Sequence, residues 1–81
     1  MATAEKIEAA LYDRLAANRG VSSDDIRVEL GAGGGIDSLE GVELLIAAEE
    51  LFGVHVPDDE LTSSLCRSMG RMARRIASKM H

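Results

Sequence analysis

Apolar residues recur every three or four positions through three stretches of this chain, which is the period of an amphipathic helix. The first stretch follows Thr3, a residue type suited to cap a helix, and ends at Asn18-Arg19-Gly20. Its apolar stripe consists of Ala4, Ile7, Leu11 and Leu15. The second stretch follows a predicted N-cap at Asp37, runs from about Ser38 to Phe52 and ends at Gly53.

The third periodic stretch follows a predicted cap at Ser68 and reaches almost to the end of the chain. Its apolar stripe consists of Met69, Met72, Ala73, Ile76 and Met80, and the cations on its other side are Arg71, Arg74, Arg75 and Lys79. A short helix is expected to begin at Pro57, because proline suits the first helical turn. The acids Asp58, Asp59 and Glu60 would then favour its N-terminus.

Residues 20–36 connect the first two helices, and we expect a long loop there. Four apolar residues are predicted to hold it against the core: Val21, Ile26, Val28 and Leu30. Glycines at 31 and 33–35 make its last part flexible. The whole pattern predicts an all-α fold with four helices, a long loop between helices 1 and 2, a short third helix, and one domain over residues 1–81.

The second helix carries two apolar faces, which is more than so small a domain needs. On a helical wheel, one broad arc is predicted to face the core: Gly41, Leu44, Leu45, Ala48, Leu51 and Phe52. The opposite side carries three aliphatic residues among three acids: Leu39, Val42 and Ile46 with Glu43, Glu49 and Glu50. Scattered aliphatic residues are normal on protein surfaces. Because these three are adjacent and ringed by carboxylates, we interpret them as a partner-binding patch.

The net charge of the chain is −5, but acidic and basic residues are concentrated in different segments. Residues 37–60 contain eight acids and no Lys or Arg, whereas residues 61–81 contain five Lys or Arg and no acid. Both runs are compatible with solvated helix faces, or with an acidic docking surface beside a basic tail. The acidic middle argues against nucleic acid as the main ligand, because phosphate contacts need a cationic surface.

Composition argues against several other classes of protein. The apolar fraction of 46% suits a folded protein, and the apolar runs are too short to span a membrane. The first residues lack the basic and apolar regions of a signal peptide, and Cys66 has no second cysteine to pair with. His55 and His81 share no metal-ligand spacing, so we expect no metal site. These features predict a cytoplasmic protein.

Ser38 is the main candidate for chemistry. It follows the glycine-rich stretch and opens the second helix, where backbone N–H groups and the helix dipole favour a phosphate. Asp37 caps the same turn, and Glu40 completes a capping-box pair. No group that would activate the hydroxyl lies nearby in sequence. We therefore interpret Ser38 as a point of attachment rather than as a nucleophile that turns over substrate.

Four segments together resemble the acyl carrier protein family, which includes peptidyl and aminoacyl carriers. They are Gly35-Ile36-Asp37-Ser38-Leu39, Val42-Glu43-Leu44-Leu45, Glu49-Glu50-Leu51-Phe52-Gly53 and Val56-Pro57-Asp58. The resemblance implies a four-helix bundle of the acyl-carrier type, with 4′-phosphopantetheine attached covalently to Ser38 between Asp37 and Leu39. It also implies that the arm carries acyl or aminoacyl groups as thioesters, and that the chain has no catalytic activity of its own.

The same resemblance implies a phosphopantetheinyl transferase, an acyl- or aminoacyl-loading enzyme, and a downstream transferase or synthase as partners. We expect the chain to be a monomer that binds neither nucleic acid nor membrane. The partners are expected to contact six residues of the second helix: Leu39, Val42, Glu43, Ile46, Glu49 and Glu50. The basic last helix, the glycines before Ser38 and the small residue Ala48 depart from the usual family pattern. They favour a specialised polyketide or peptide-like pathway, such as antibiotic biosynthesis, over housekeeping fatty-acid synthesis.

Two other classes of function remain open. A helical adaptor would use the exposed face of the second helix without any prosthetic group. A small enzyme using Ser38 is the weakest alternative, because the sequence shows no base and orienting residue for it.

Overall fold

The computed structural model describes residues 3–80, which form five α-helices and one 3-10 turn. In chain order these are α1 (Ala4–Arg19), α2 (Ser23–Gly31), α3 (Ser38–Phe52), the 3-10 turn Asp58–Glu60, α4 (Ser63–Cys66) and α5 (Met69–Ser78). No strand occurs within residues 3–80. The predicted all-α class is confirmed, although the helices number five rather than four. His81 lies outside the described residues.

The ends of the three long helices lie where the sequence predicts them. The hydroxyls of Thr3 and Ser68 accept hydrogen bonds from N–H groups in the first turns of α1 and α5. Gly20 and Gly53 end α1 and α3 with φ angles of 72° and 66°, in the left-handed region that favours glycine. Local capping therefore sets the length of these helices.

One hydrophobic core joins the helices. Helix α1 packs mainly against α5, and also against α2 and α3. The core side chains are aliphatic or methionine, in keeping with an aromatic content of 2%. They include Ile7, Leu11 and Leu15 of α1, Ile26 of α2, Leu44, Leu45 and Ala48 of α3, and Met69, Met72, Ala73 and Ile76 of α5. The predicted apolar stripes of the long helices thus meet in a single core.

The prediction of a long loop between the first two long helices is wrong, because its middle part forms α2. The Ser22 hydroxyl accepts a hydrogen bond from an N–H of the first turn, and acids in that turn favour the helix dipole. Ile26 is fully buried and Leu30 is partly buried against the core, as expected. Val21 and Val28 are exposed instead. Residues two apart on a helix do not share a face, so burying Ile26 turns Val28 outward.

The short third helix also differs from its prediction. Pro57 leads into a single 3-10 turn, Asp58–Glu60, and the α-helix begins only at Ser63. Between them, Leu61 adopts an extended backbone and packs its side chain against the core. This change of backbone direction ends the turn that the proline begins. Thr62 then caps α4 through its hydroxyl.

The core-facing side of α3 agrees with the helical wheel except near its end. Four predicted core residues are buried: Gly41, Leu44, Leu45 and Ala48. Phe52 is partly buried against the core. The prediction for Leu51 is wrong, since it is 53% exposed, and Ala47 is buried in its place. A wheel gives the direction of a side chain, but not whether a neighbouring helix extends far enough to cover it.

Candidate functional site

Ser38 is the first residue of α3, and its side chain is exposed. Asp37 precedes it as the N-cap, with its backbone extended. Asp37 Oδ1 accepts a hydrogen bond from the Glu40 N–H at 2.7 Å, and Glu40 Oε1 accepts one from the Asp37 N–H at 3.2 Å. The predicted capping box is therefore complete. It fixes the turn that carries the serine hydroxyl.

Arg19, at the C-terminal end of α1, holds the same turn. Its Nε donates to Glu40 Oε2 at 2.7 Å and its Nη2 to Glu40 Oε1 at 2.9 Å, a two-pronged ion pair. Its Nη1 donates to Glu29 Oε2 of α2 at 3.0 Å, and Nη2 lies 3.5 Å from the Gly35 carbonyl oxygen. These four residues, Arg19, Glu29, Gly35 and Glu40, form what we call the Arg19 clamp. It ties α1, α2 and the glycine stretch to the start of α3.

The Arg19 clamp sets the electrostatics next to Ser38. The side chains of Arg19 and Glu40 are 23% and 21% exposed, so water screens their attraction only in part. The hydrogen bond from Arg19 is the main cause that lowers the pKa of Glu40. The same bond, with smaller contributions from Glu29 and Asp37, raises the pKa of Arg19. Arg19 therefore balances the charge of Glu40, which reduces the repulsion that an anion on Ser38 would meet.

Helix α4 supports the turn from another side. The Ile36 N–H donates to the Cys66 carbonyl at 3.1 Å, and the Ile36 side chain is buried. Gly41 is buried close to the same segment: a Cβ there would lie 2.8 Å from Leu61 Cδ2 and 3.4 Å from Cys66 Sγ. Burial, with the charge of Asp37 adding to it, raises the pKa of the Cys66 thiol. The thiol is therefore a protonated neighbour of the site rather than a second nucleophile.

The outward side of α3 begins at Ser38 and combines apolar and acidic residues. We call it the α3 face, and it consists of Leu39, Val42, Glu43, Ile46, Glu49 and Glu50. Leu39 and Ile46 are 66% and 52% exposed, whereas Val42 is half-buried. The sequence-predicted site residues, from Asp37 to Glu50, thus lie along α3 and its N-cap.

The three glutamates of the α3 face are exposed, and each lies near a polar neighbour. Asn18 Nδ2 donates to Glu43 Oε2 at 3.1 Å, and Arg14 Nη1 lies 4.0 Å from Glu50 Oε2. Both neighbours belong to α1, so Glu43 and Glu50 form the edge of the α3 face that is nearest to α1. Glu49 Oε2 lies 3.2 Å from His55 Nδ1. Such exposed contacts contribute little to stability, which leaves the carboxylates available to a partner.

Sequence reasoning does not identify Arg19 as part of the site. Its partner Glu40 is 21 positions away, and no local pattern links the two. Gly41 is assigned to the core by its position on the wheel, but its close approach to Leu61 is visible only in the structure. In both cases the missing information is which segments meet in space.

The site therefore defines a class of protein: a small helical domain with an exposed serine at a capped helix start, beside an apolar and acidic helix face. Comparison with curated proteins identifies relatives of this class. The chain is 38% identical over 64 residues to an acyl carrier protein of Rickettsia bellii (strain OSU 85-389), which covers 76% of this chain and 79% of that protein. It is 36% identical over 64 residues to an acyl carrier protein of Rickettsia bellii (strain RML369-C), covering 76% of this chain and 74% of that protein.

The chain also matches an acyl carrier protein of Acidothermus cellulolyticus (strain ATCC 43068 / DSM 8971 / 11B) over a shorter segment. This match is 62% identical over 26 residues, which cover 32% of this chain and 31% of the relative. The chain belongs to the acyl carrier protein family. No family model and no solved structure matches it.

Family membership makes the chain a carrier protein in general terms, working with partner enzymes such as transferases and synthases. Acyl carrier proteins carry a phosphopantetheine group on a serine and are generally not catalysts themselves. Within residues 3–80, every helix is too short or too polar to cross a membrane.

Proposed function

We propose that this chain, as a single domain, tethers acyl or aminoacyl intermediates as thioesters on a 4′-phosphopantetheine arm attached to Ser38. The observation that carries the proposal is the position of the Ser38 hydroxyl, exposed on the first residue of α3. The capping box and the Arg19 clamp hold this turn. Because the turn is already held in one conformation, less conformational entropy is lost when a transferase binds it and reaches the hydroxyl.

The residues around Ser38 fit a phosphodiester. The first N–H groups of a helix have no partner within the helix and bind anions. The capping box uses the N–H groups of Asp37 and Glu40, so those of Ser38 and Leu39 are the donors that it leaves for a phosphate. The Arg19 guanidinium offsets the nearby carboxylate of Glu40. The arm would supply a thiol that holds the cargo as a thioester, while this chain supplies the attachment oxygen.

A catalytic role for Ser38 has less support. Among the hydrogen bonds of residues 3–80, none joins the Ser38 hydroxyl to a side chain that would act as a base. Asp37 is engaged in capping α3, and His55 contacts Glu49 instead. A serine nucleophile needs a base within hydrogen-bond reach and a third group that orients it. Attachment by a separate transferase requires only an accessible hydroxyl.

The α3 face is proposed to bind the partners: the transferase, a loading enzyme, and a downstream transferase or synthase. Leu39 and Ile46 would provide the apolar centre of the contact, with Val42 between them. The acids Glu43, Glu49 and Glu50 would meet basic residues of the partner, and complementary charge mainly raises the association rate. The face begins at Ser38, so a partner bound there has the attachment point within reach.

A specialised polyketide or peptide-like pathway is proposed on three features. Helix α5 is basic, glycines at 31 and 33–35 precede the turn of Ser38, and the fully buried Ala48 is a small residue. The exposed α3 face would also suit an adaptor that works without a prosthetic group. The test of the attachment distinguishes the two functions.

Intact mass spectrometry tests the proposal. The purified protein is incubated with coenzyme A and a phosphopantetheinyl transferase of broad specificity. We expect the wild type and Ser63→Ala to gain the mass of one phosphopantetheine, and Ser38→Ala to gain none. Ser63 is a matched control, because it too is an exposed serine at the first position of an α-helix. An unchanged wild-type mass would favour the adaptor, and a gain in Ser38→Ala would place the arm elsewhere.

A further inference from the structure

Helix α5 and the segment that leads into it enclose an open hollow of about 410 Å³. We call it the arginine hollow, and it is lined by Thr62, Ser64, Leu65, Arg71, Arg74, Arg75 and Ser78. Three guanidinium groups at one hollow are a distinct feature in a chain whose net charge is −5. None of its lining residues belongs to the α3 face or to the turn of Ser38.

Internal contacts hold the arginines in place without neutralising them all. Arg71 Nη1 donates to Ser64 Oγ at 2.9 Å, so Arg71 is positioned by a neutral group and keeps its full charge. Glu60 accepts hydrogen bonds from both Arg75 and Lys79, each at 2.9 Å, so one carboxylate faces two cations. Those two bonds lower the pKa of Glu60 and keep it ionised. The hollow therefore retains an excess of positive charge.

Arg74 is the third guanidinium, and it lies between two hollows. It also lines a smaller hollow with Glu5 and Glu8 of α1, so acids lie on that side of Arg74. The strongest unbalanced cation is thus Arg71, with Arg74 beside it one helical turn further along. Guanidinium groups in this arrangement bind oxyanions through paired N–H donors.

The surroundings of the hollow favour carboxylates of a protein over a phosphate chain. Leu65 is buried, so the accessible lining of the hollow is made of the arginines and of hydroxyl side chains. The eight acids of residues 37–60 would repel a polyphosphate such as a nucleic acid, which must lay many charges along the surface. A segment with a few carboxylates can place them at the arginines alone.

We propose that the arginine hollow docks an acidic segment of a partner protein. The hollow shares no residue with the α3 face, so the proposal predicts that the two surfaces bind different partners. A partner held at the hollow would leave Ser38 and the α3 face open to a second enzyme. The proposal does not depend on the modification of Ser38.

NMR titration of the ¹⁵N-labelled chain with a short capped peptide of about three glutamates, at roughly 50 mM salt, tests the proposal. We expect amide shifts concentrated in residues 62–78, and weaker binding at higher salt because the contact is electrostatic. The double variant Arg71→Gln with Arg74→Gln should bind about tenfold more weakly. Arg27→Gln is the matched control, since Arg27 stacks on Tyr12 outside the hollow, and its affinity should equal that of the wild type.

A second pair of variants, Arg71→Lys with Arg74→Lys, keeps the charge and should retain much of the binding, which separates charge from a folding defect. Equal affinity of the Gln double variant and Arg27→Gln would overturn the proposal, as would shifts located outside residues 62–78. Inorganic pyrophosphate bound as tightly as the peptide would also overturn it, by assigning the hollow to a small phosphate ligand.

Discussion

Replacing Arg19 with methionine should destabilise the protein far more than replacing an ordinary surface arginine. Methionine retains the aliphatic part of the side chain and removes the guanidinium. The variant therefore loses the two bonds to Glu40, at 2.7 and 2.9 Å, and the bond to Glu29 at 3.0 Å. It also leaves the carboxylate of Glu40 partly buried without its counter-charge.

The magnitude follows from the burial of each partner. Both Arg19 and Glu40 are less than a quarter exposed, and hydrogen bonds to charged groups contribute about 1.5–3 kcal/mol. The bond to Glu29 adds little, because the side chain of Glu29 is 56% exposed. We expect the free energy of unfolding to fall by about 2 kcal/mol. In a domain of this size, that corresponds to a decrease in Tm of about 8–16 °C.

The destabilisation should depend on pH in a defined direction. Arg19 lowers the pKa of Glu40 in the folded protein below its value in the unfolded chain. The stabilisation is therefore complete above the ordinary pKa of a glutamate, 4.5, and is lost as the pH falls through the lower folded value. The difference in stability between wild type and Arg19→Met should be constant near neutral pH and should shrink under acid conditions.

Urea unfolding followed by circular dichroism, at neutral and acid pH, measures these differences. Arg14→Met is the matched control, because Arg14 lies 4.0 Å from Glu50, whose side chain is 64% exposed. Its cost should be below about 0.5 kcal/mol. Equal losses for the two variants, or a loss for Arg19→Met that does not change with pH, would refute the account of the Arg19 clamp.

Three further predictions concern the core, a helix end and the α3 face. Ala48→Leu should overpack the interior and lower the free energy of unfolding by about 1–3 kcal/mol, because Ala48 is fully buried; an unchanged urea midpoint would show spare space there. Gly53→Ala should cost about 1 kcal/mol in the same assay, because φ at Gly53 is 66°, and no loss would mean that the turn adapts. Glu43→Lys should slow loading by a partner enzyme mainly at low salt, whereas Ile46→Asp should slow it at every salt concentration. Equal rates for both variants and the wild type would mean that the α3 face is not a docking surface, with circular dichroism as the folding control.

Local signals in the sequence predict α1, α3 and α5 because each helix carries its own caps. Thr3, Asp37 and Ser68 all accept the hydrogen bonds expected of them, and Gly20 and Gly53 end the helices as expected. Helix α2 has a comparable signal in Ser22, followed by acids in the first turn. Its short length and the absence of a continuous apolar stripe hide it in the sequence.

Features that depend on how segments meet are not predictable in this way. Arg19 and Glu40 are brought together by the packing of α1 against α3, and Leu61 meets Gly41 only after the chain has folded. Leu51 is apolar and points toward the core arc on a wheel, yet it is 53% exposed. The position of Ser38 at a helix start could be predicted because its determinants, Asp37 and Glu40, lie within one turn of it.

Tandem mass spectrometry of the chain, produced together with a phosphopantetheinyl transferase and then loaded with an acyl group, tests the central claim most directly. The proposed function predicts that the peptide containing Asp37-Ser38-Leu39 carries one phosphopantetheine on Ser38. It also predicts that hydroxylamine releases the acyl group, as expected of a thioester, and leaves the arm in place. An unmodified Ser38 under these conditions, or a modification mapped to any other serine, would contradict the account.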